Sequence, residues 1–384
     1  MEEKVTNMKL KYPLVAAAVV AICGGLPAHS WAAGIEDKIT FSGFGTFGGV
    51  VTNEDDVDFR RDQQPDGANK TIDTGVDTNI GVQLNFQANS WLSATVQGLA
   101  MKRVEHDKQM EIEWAFVKAT PLPGLTIRAG RMAMPTFLVS DSRNVGYANT
   151  WLRAPNEVYG LALVPRIEGG DVSYSKEVSS VRLTGTVMAG HATANAVGQQ
   201  FPMHDVLGGS LQVQKGAFTV RAGTVSGDTQ VSPIETDKYT FHGLGVSYDK
   251  GNLLAQAEYV QRRSEHYYNL VAADGWYTMG GYRFGSLTPY AILSSTKPKH
   301  SDSEAPSPLP GTISGKQRSF TAGLRWDAAS FAALKFQWEH VNADGTNGIS
   351  FERPGPSVYP GVPNSFFLSV DSVNVISATV DFVF

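Results

Sequence analysis

Apolar residues recur at every second position along most of this chain. Ile80, Val82, Leu84 and Phe86 alternate with Asn79, Gly81, Gln83 and Asn85. Successive side chains of a β-strand point to opposite faces, so this rhythm predicts strands with one apolar and one polar face. It returns in Ile112, Trp114 and Phe116; in Leu125, Ile127 and Ala129; in Val181, Leu183 and Val187; and in Phe218, Val220 and Ala222. Later examples are Leu253, Ala255, Ala257 and Tyr259; Phe320, Ala322, Leu324 and Trp326; Leu334, Phe336 and Trp338; and a last run from Ile376 to Phe384.

The connectors alternate as well. Short turns (Asn89-Ser90, Pro121 to Gly124, Lys215-Gly216, Asp249 to Asn252, Phe284 to Leu287, Asp327 to Ser330) take turns with long polar segments. Those segments are Asn53 to Thr74, Ala133 to Pro165, Ala192 to Met203, Gly227 to Asp237, Ser264 to Ala273, Pro298 to Gly315 and Ala343 to Val370. Hairpins with one short and one long end are the pattern of a transmembrane antiparallel β-barrel. After residue 33 no stretch approaches the roughly 20 apolar residues of a membrane helix. The expected fold class is therefore all-β: one barrel of about sixteen strands over residues 33–384. A soluble β-sandwich also alternates. Its polar faces would need heavy charge, whereas the faces here hold mainly Gly, Ser, Thr, Gln and scattered Arg.

Composition sharpens this picture. Charged residues are 18% of the chain, below the roughly 25% usual for soluble domains. With 32 Lys+Arg against 37 Asp+Glu, the basic surplus that nucleic-acid binding needs is missing. Lys9 and Lys11 precede a short apolar run, Leu14 to Leu26, that ends in small residues near Ala32. This predicts an export signal over residues 1–32, cleaved after Ala32, with Met8 the expected start. The only cysteine, Cys23, falls inside it, so the mature chain is expected to do without disulfides, thiolate metal ligands or a Cys nucleophile.

Several features resemble the Gram-negative outer-membrane porins. They are the export signal, the first strand Ile39-Thr40-Phe41-Ser42-Gly43-Phe44-Gly45, the Gly130-Arg131 pair before a long third loop containing Pro135, and a last strand closing on Phe384. The resemblance implies a passive channel and no enzyme, in the outer membrane, likened to homotrimers. It also implies that Phe384 is a signal read by the barrel-assembly machinery. Two departures stand out: the acidic Pro-Glu-Phe-Gly-Gly signature of enteric third loops is absent, and the second loop, Val104 to Gln109, is short for one that latches onto a neighbouring subunit.

A water-filled barrel needs something to narrow it. The segment Ala133 to Pro165 is the candidate, a third loop folded inward, with Asp141, Arg143, Arg153 and Glu157 as its charged groups and Tyr147, Trp151 and Tyr159 among them. An ordinary extracellular loop is the other reading of the same segment. Strand parity then assigns the wall. Arg or Lys facing lipid at mid-depth costs on the order of 2–4 kcal/mol. Arg128, Arg182, Arg221, Arg262, Arg283, Arg325 and Lys335 are therefore expected to line the pore, with Glu111, Glu113, Asp171, Glu258 and Glu339. Seven cations against five anions predict a modest anion preference. These arginines could instead pair with neighbouring carboxylates and stiffen the wall.

The remaining motifs add little. Gly43 to Gly48 fits G-x-G-x-x-G but lies within a strand, where small residues allow curvature or close approach. The acidic run Glu54, Asp55, Asp56, Asp58, Asp62 and Asp66 reads as a solvated loop, with bridging of divalent ions to lipopolysaccharide as the alternative. Asn69-Lys70-Thr71 matches a glycosylation acceptor without consequence in a bacterial-type protein. The eight histidines show no ligand spacing, and no Ser, His and acid grouping can be assembled, so no cofactor, metal or catalytic residue is expected. The expected partners are small hydrophilic solutes and ions, outer-membrane lipid with lipopolysaccharide, and the assembly machinery. A channel selective for phosphate, carboxylates or sugars is the main alternative; a receptor or adhesin and a barrel lipase are the other classes. Energy-coupled import is not expected, because no plug domain precedes the first strand.

Overall fold

The computed structural model describes residues 38–61, 64–103, 110–196, 199–266, 272–299, 315–355 and 368–384. The expected export signal with Cys23, the second loop (104–109) and residues 300–314 of the seventh lie outside them. The strands are β1 (Ile39–Thr52), β2 (Asp58–Phe59), β3 (Asn79–Gln87), β4 (Leu92–Met101), β5 (Met110–Leu122), β6 (Leu125–Ala133), β7 (Arg166–Val178), β8 (Val181–Ala196) and β9 (Gln199–Lys215). They continue with β10 (Phe218–Ser232), β11 (Glu235–Lys250), β12 (Leu253–Ser264), β13 (Ala273–Tyr282), β14 (Leu287–Pro298), β15 (Gln317–Ala329), β16 (Ala332–Thr346), β17 (Phe351–Glu352) and β18 (Val370–Val383).

Sixteen of these strands close into one barrel, each beside its neighbour in the chain, with β18 returning to β1. The short β2 and β17 form a separate two-stranded sheet. Closure leaves no sheet edge, which is what lets strands cross a medium that offers no hydrogen bonds. Alternation sorts the side chains across the wall. On β16 and β18, Phe336, Ile376 and Val380 are exposed outside, while Lys335, Gln337, Glu339, Ser377, Thr379 and Asp381 are buried inside.

The seam explains the small residues of the first strand. Gly43 and Phe384 exchange backbone hydrogen bonds of 2.8 and 3.0 Å. The Phe384 ring covers Gly43 so closely that a Cβ there would sit 2.2 Å from it.

Two expectations change. Ala192 to Met203 and Gly227 to Asp237, read as polar loops, are largely strand: β8 to β11 run on for 15 to 17 residues each. Their ends no longer need an apolar outer face, so the signal that marks a membrane strand fades before the strand does. The second change is a β-bulge. Gln97 pairs with Trp114 but its neighbour Gly98 pairs with Ile112, so Glu113 is an extra residue in β5. Parity flips there. Ile112 stays outside, while Trp114 and Phe116, expected outside with it, face the lumen.

Candidate functional site

The segment between β6 and β7 fills much of the barrel. It is tied at its base by the Met134 N–H, which donates to the Pro165 carbonyl at 3.1 Å. It contains a 3-10 turn (Gly146–Ala148) and a single helical turn, α1 (Asn156–Tyr159). Its apolar side chains meet inward-facing ones of the wall: Phe137 stacks on Tyr159 with centroids 4.4 Å apart, and Trp151 meets Tyr277 edge-on at 5.5 Å. Its backbone approaches the wall at Gly275, where a Cβ would lie 2.1 Å from the Glu157 carbonyl oxygen.

Buried polar groups lock the segment in place. Arg153 donates to both oxygens of Asp77 (3.1 and 2.7 Å), to Glu339 at 3.0 Å and to Ser377 at 2.5 Å, and its guanidinium lies 4.9 Å from the Phe59 ring centroid. Burial works against that charge, but Asp77 and Glu339 more than offset it, so the Arg153 pKa is held above its ordinary value. Glu157 accepts from Ser294 at 3.0 Å, Gln317 at 2.7 Å and Ser319. Glu258 accepts from Tyr159 (2.5 Å), Tyr277 (2.9 Å) and the Leu138 N–H (2.8 Å). Burial, with the Glu258 carboxylate beside it, pushes the Tyr159 phenol well above its usual range. Lys335 pairs with Asp381 at 2.8 Å and donates to the carbonyls of Gly146 and Trp151. Arg325 donates to the carbonyls of Tyr147 and Asn149.

These contacts correct part of the sequence reading. Arg153 and Glu157, expected to face solutes, are buried, as are Glu258, Glu339 and Lys335 on the wall. A buried charge must find its partner, so each is used to fasten the loop. Arg221 and Arg262 reach the loop backbone, at Pro135 and Leu161. Arg128 is held by Asp171, at 2.5 Å. Arg182 and Arg283 lie beside short turns, paired with Glu177 and Asp249, and not within the lumen.

Because the loop is fastened to β10 through β18, open space remains on the opposite side, against β4, β5 and β7. A cavity continuous with solvent lies there. Asp141 and Arg143, with Asn144, line it from the loop; Glu111, Glu113 and Trp114 line it from the wall. Arg103 and Arg166, which the alternation did not single out, complete it. Arg103 contacts Glu113 at 2.5 Å and Glu111 at 3.5 Å, and Arg166 contacts the same two carboxylates at 3.1 and 3.0 Å. The signal that marks them is positional: Arg103 sits two residues past β4 and Arg166 opens β7, both facing Glu111 and Glu113. Asp77 was missed for the same reason, two residues before β3. Above the loop, the first and last long segments meet as β2 and β17, with Arg60 pairing with Glu352 at 2.8 Å. The Asn156 amide joins them to α1 through Ser350 and the Arg60 carbonyl, both at 2.9 Å.

The fold finds counterparts among known structures. Salmonella typhi OmpF in complex with daunomycin is 15% identical, with a TM-score of 0.57 over 90% of this chain and 97% of its own. The anion-selective porin from Comamonas acidovorans is 12% identical, TM-score 0.54, over 90% and 99%. The trimer form of in-vitro folded OmpT, an outer-membrane protein of Vibrio cholerae, is 12% identical, TM-score 0.54, again over 90% and 99%. No curated protein matches the chain. The model of the Gram-negative porins matches residues 15–348, most of the sequence. With a closed sixteen-stranded barrel over residues 39–383, the chain belongs to the Gram-negative porin family.

Proposed function

We propose that this outer-membrane porin passes small hydrophilic solutes and ions by passive diffusion, with little selection by charge. The observation that carries the reading is the opening left between the fastened loop and the β4–β7 wall. Its charged lining is Arg103, Arg143 and Arg166 against Glu111, Glu113 and Asp141, three of each sign; Lys102 also borders it but is buried and paired with Asp66 and Asp73. Balanced charge in a water-filled constriction gives neither sign of ion a large advantage. The test is the reversal potential of the purified channel in a planar bilayer under a salt gradient. A reversal potential near zero is expected, and strong selectivity for either sign would contradict it. Replacing both Arg103 and Arg166 by Gln takes these six groups from 0 to −2, and the reversal potential is expected to shift toward cation selectivity.

The trimer form of the Vibrio cholerae relative supports a homotrimer here. Phe384 is proposed as the group the assembly machinery recognises, and lipopolysaccharide as the surrounding lipid. Phe384→Ala removes the ring that covers Gly43 at the seam. It is expected to lower the fraction of chain that migrates as folded barrel in an unheated SDS gel; an undiminished fraction would sink the assignment.

A further inference from the structure

The opening has a second property besides its balanced charge. Arg103, Arg166, Glu111 and Glu113 form a closed lattice in which each cation contacts both carboxylates, at 2.5 to 3.5 Å. Two positive and two negative groups cancel, so a simple ion gains little from the lattice as a whole. A solute carrying both an ammonium and a carboxylate meets a partner for each end within a few ångströms.

Trp114, beside Glu113 in the chain, lines the same opening. Had β5 kept its parity, this indole would lie outside with Ile112; the bulge at Glu113 turns it into the opening. Phe44, Met101 and Val145 add apolar lining to the same opening. Wall and loop together thus offer a flat aromatic face next to paired charges of both signs, with Asp141 and Arg143 across the gap.

We infer that the opening is a binding site for small zwitterions bearing a planar ring, aromatic amino acids as a chemical class. The inference rests on the pore reading above and adds a preferred solute to it. The ring would lie against Trp114, where an offset or edge-on aromatic pair is favourable. The ammonium and carboxylate would address the Glu and Arg groups of the lattice.

The experiment measures block of the KCl current of single channels by L-phenylalanine, L-alanine, benzoate and benzylamine. Phenylalanine is expected to half-block at a concentration about fivefold below alanine, the size of one aromatic contact, and also below benzoate and benzylamine, each of which lacks one of its two charged groups. With Trp114→Ala, phenylalanine should fall back to the level of alanine. With Arg103→Gln and Glu113→Gln together, which keeps the net charge, it should fall back to the level of benzoate. Equal block by all four probes, or discrimination that survives Trp114→Ala, overturns the inference and leaves the pore reading standing. A wild-type protein that carries no KCl current overturns both.

Discussion

Arg153→Ala is expected to widen the channel and weaken the barrel together. The substitution leaves Glu339 buried without its cation and Asp77 with only the more distant Arg61, at 3.7 Å. Removing one partner of a buried ion pair typically costs on the order of 3–5 kcal/mol. Part of that cost can be relieved if the loop lifts from β16 and β18 and lets water in, and that movement opens the lumen. Single-channel recordings should therefore show a larger and noisier conductance. The temperature at which the folded band disappears from SDS gels should fall. A conductance equal to that of the wild type, with undiminished heat resistance, would mean that Arg153 does not hold the loop.

Gly275→Val addresses the same loop without touching a charge. Any side chain at this position must displace the Glu157 carbonyl, because its Cβ would lie 2.1 Å away. Overpacking of this kind costs about 1–3 kcal/mol when the neighbour can shift. Here the neighbour is the backbone of α1, and shifting it strains the hydrogen bonds from Ser294, Gln317 and Ser319 to Glu157. An altered conductance with several sublevels is expected. Gly280→Ala, five residues along the same strand, where nothing lies within 4 Å of the added Cβ, provides the contrast and should leave the current unchanged. Equal effects from the two variants would disconnect the result from the loop.

The barrel was legible because lipid and water impose a simple rule on each strand, and Ile376 to Phe384 or Leu334 to Trp338 state it without ambiguity. The rule fails where its physical cause is missing. Past the apolar band, β8 and β9 run on with polar residues outside (His191, Thr193, His204) and apolar ones inside (Ala192, Ala194, Met203, Val206), the reverse of the membrane rule, so the expected alternation gives no notice of them. At Glu113 one inserted residue reverses every later assignment in β5, and only the cross-strand register reveals it. The charged residues of the loop divide for a further reason. Asp141, Arg143, Arg153 and Glu157 look alike in sequence, but Asp77, Glu339 and Ser377 come together around Arg153 only through closure of the barrel. Whether a charge faces solute or fastens the loop is decided by partners from 76 to 224 residues away.

The same division between lining and fastening residues gives the account its sharpest test. Asn144 lines the opening, whereas Ser377 lies buried beneath the loop, bonded to Arg153. A cysteine introduced at each position in turn would be probed with a charged thiol reagent during single-channel recording, the sole native cysteine, Cys23, lying in the expected export signal. Asn144→Cys is predicted to lose current in a step as the reagent reacts, and Ser377→Cys to conduct undisturbed. Reaction at position 377 with none at 144, or a protein that never conducts, would contradict a channel displaced to the β4–β7 side by its third loop.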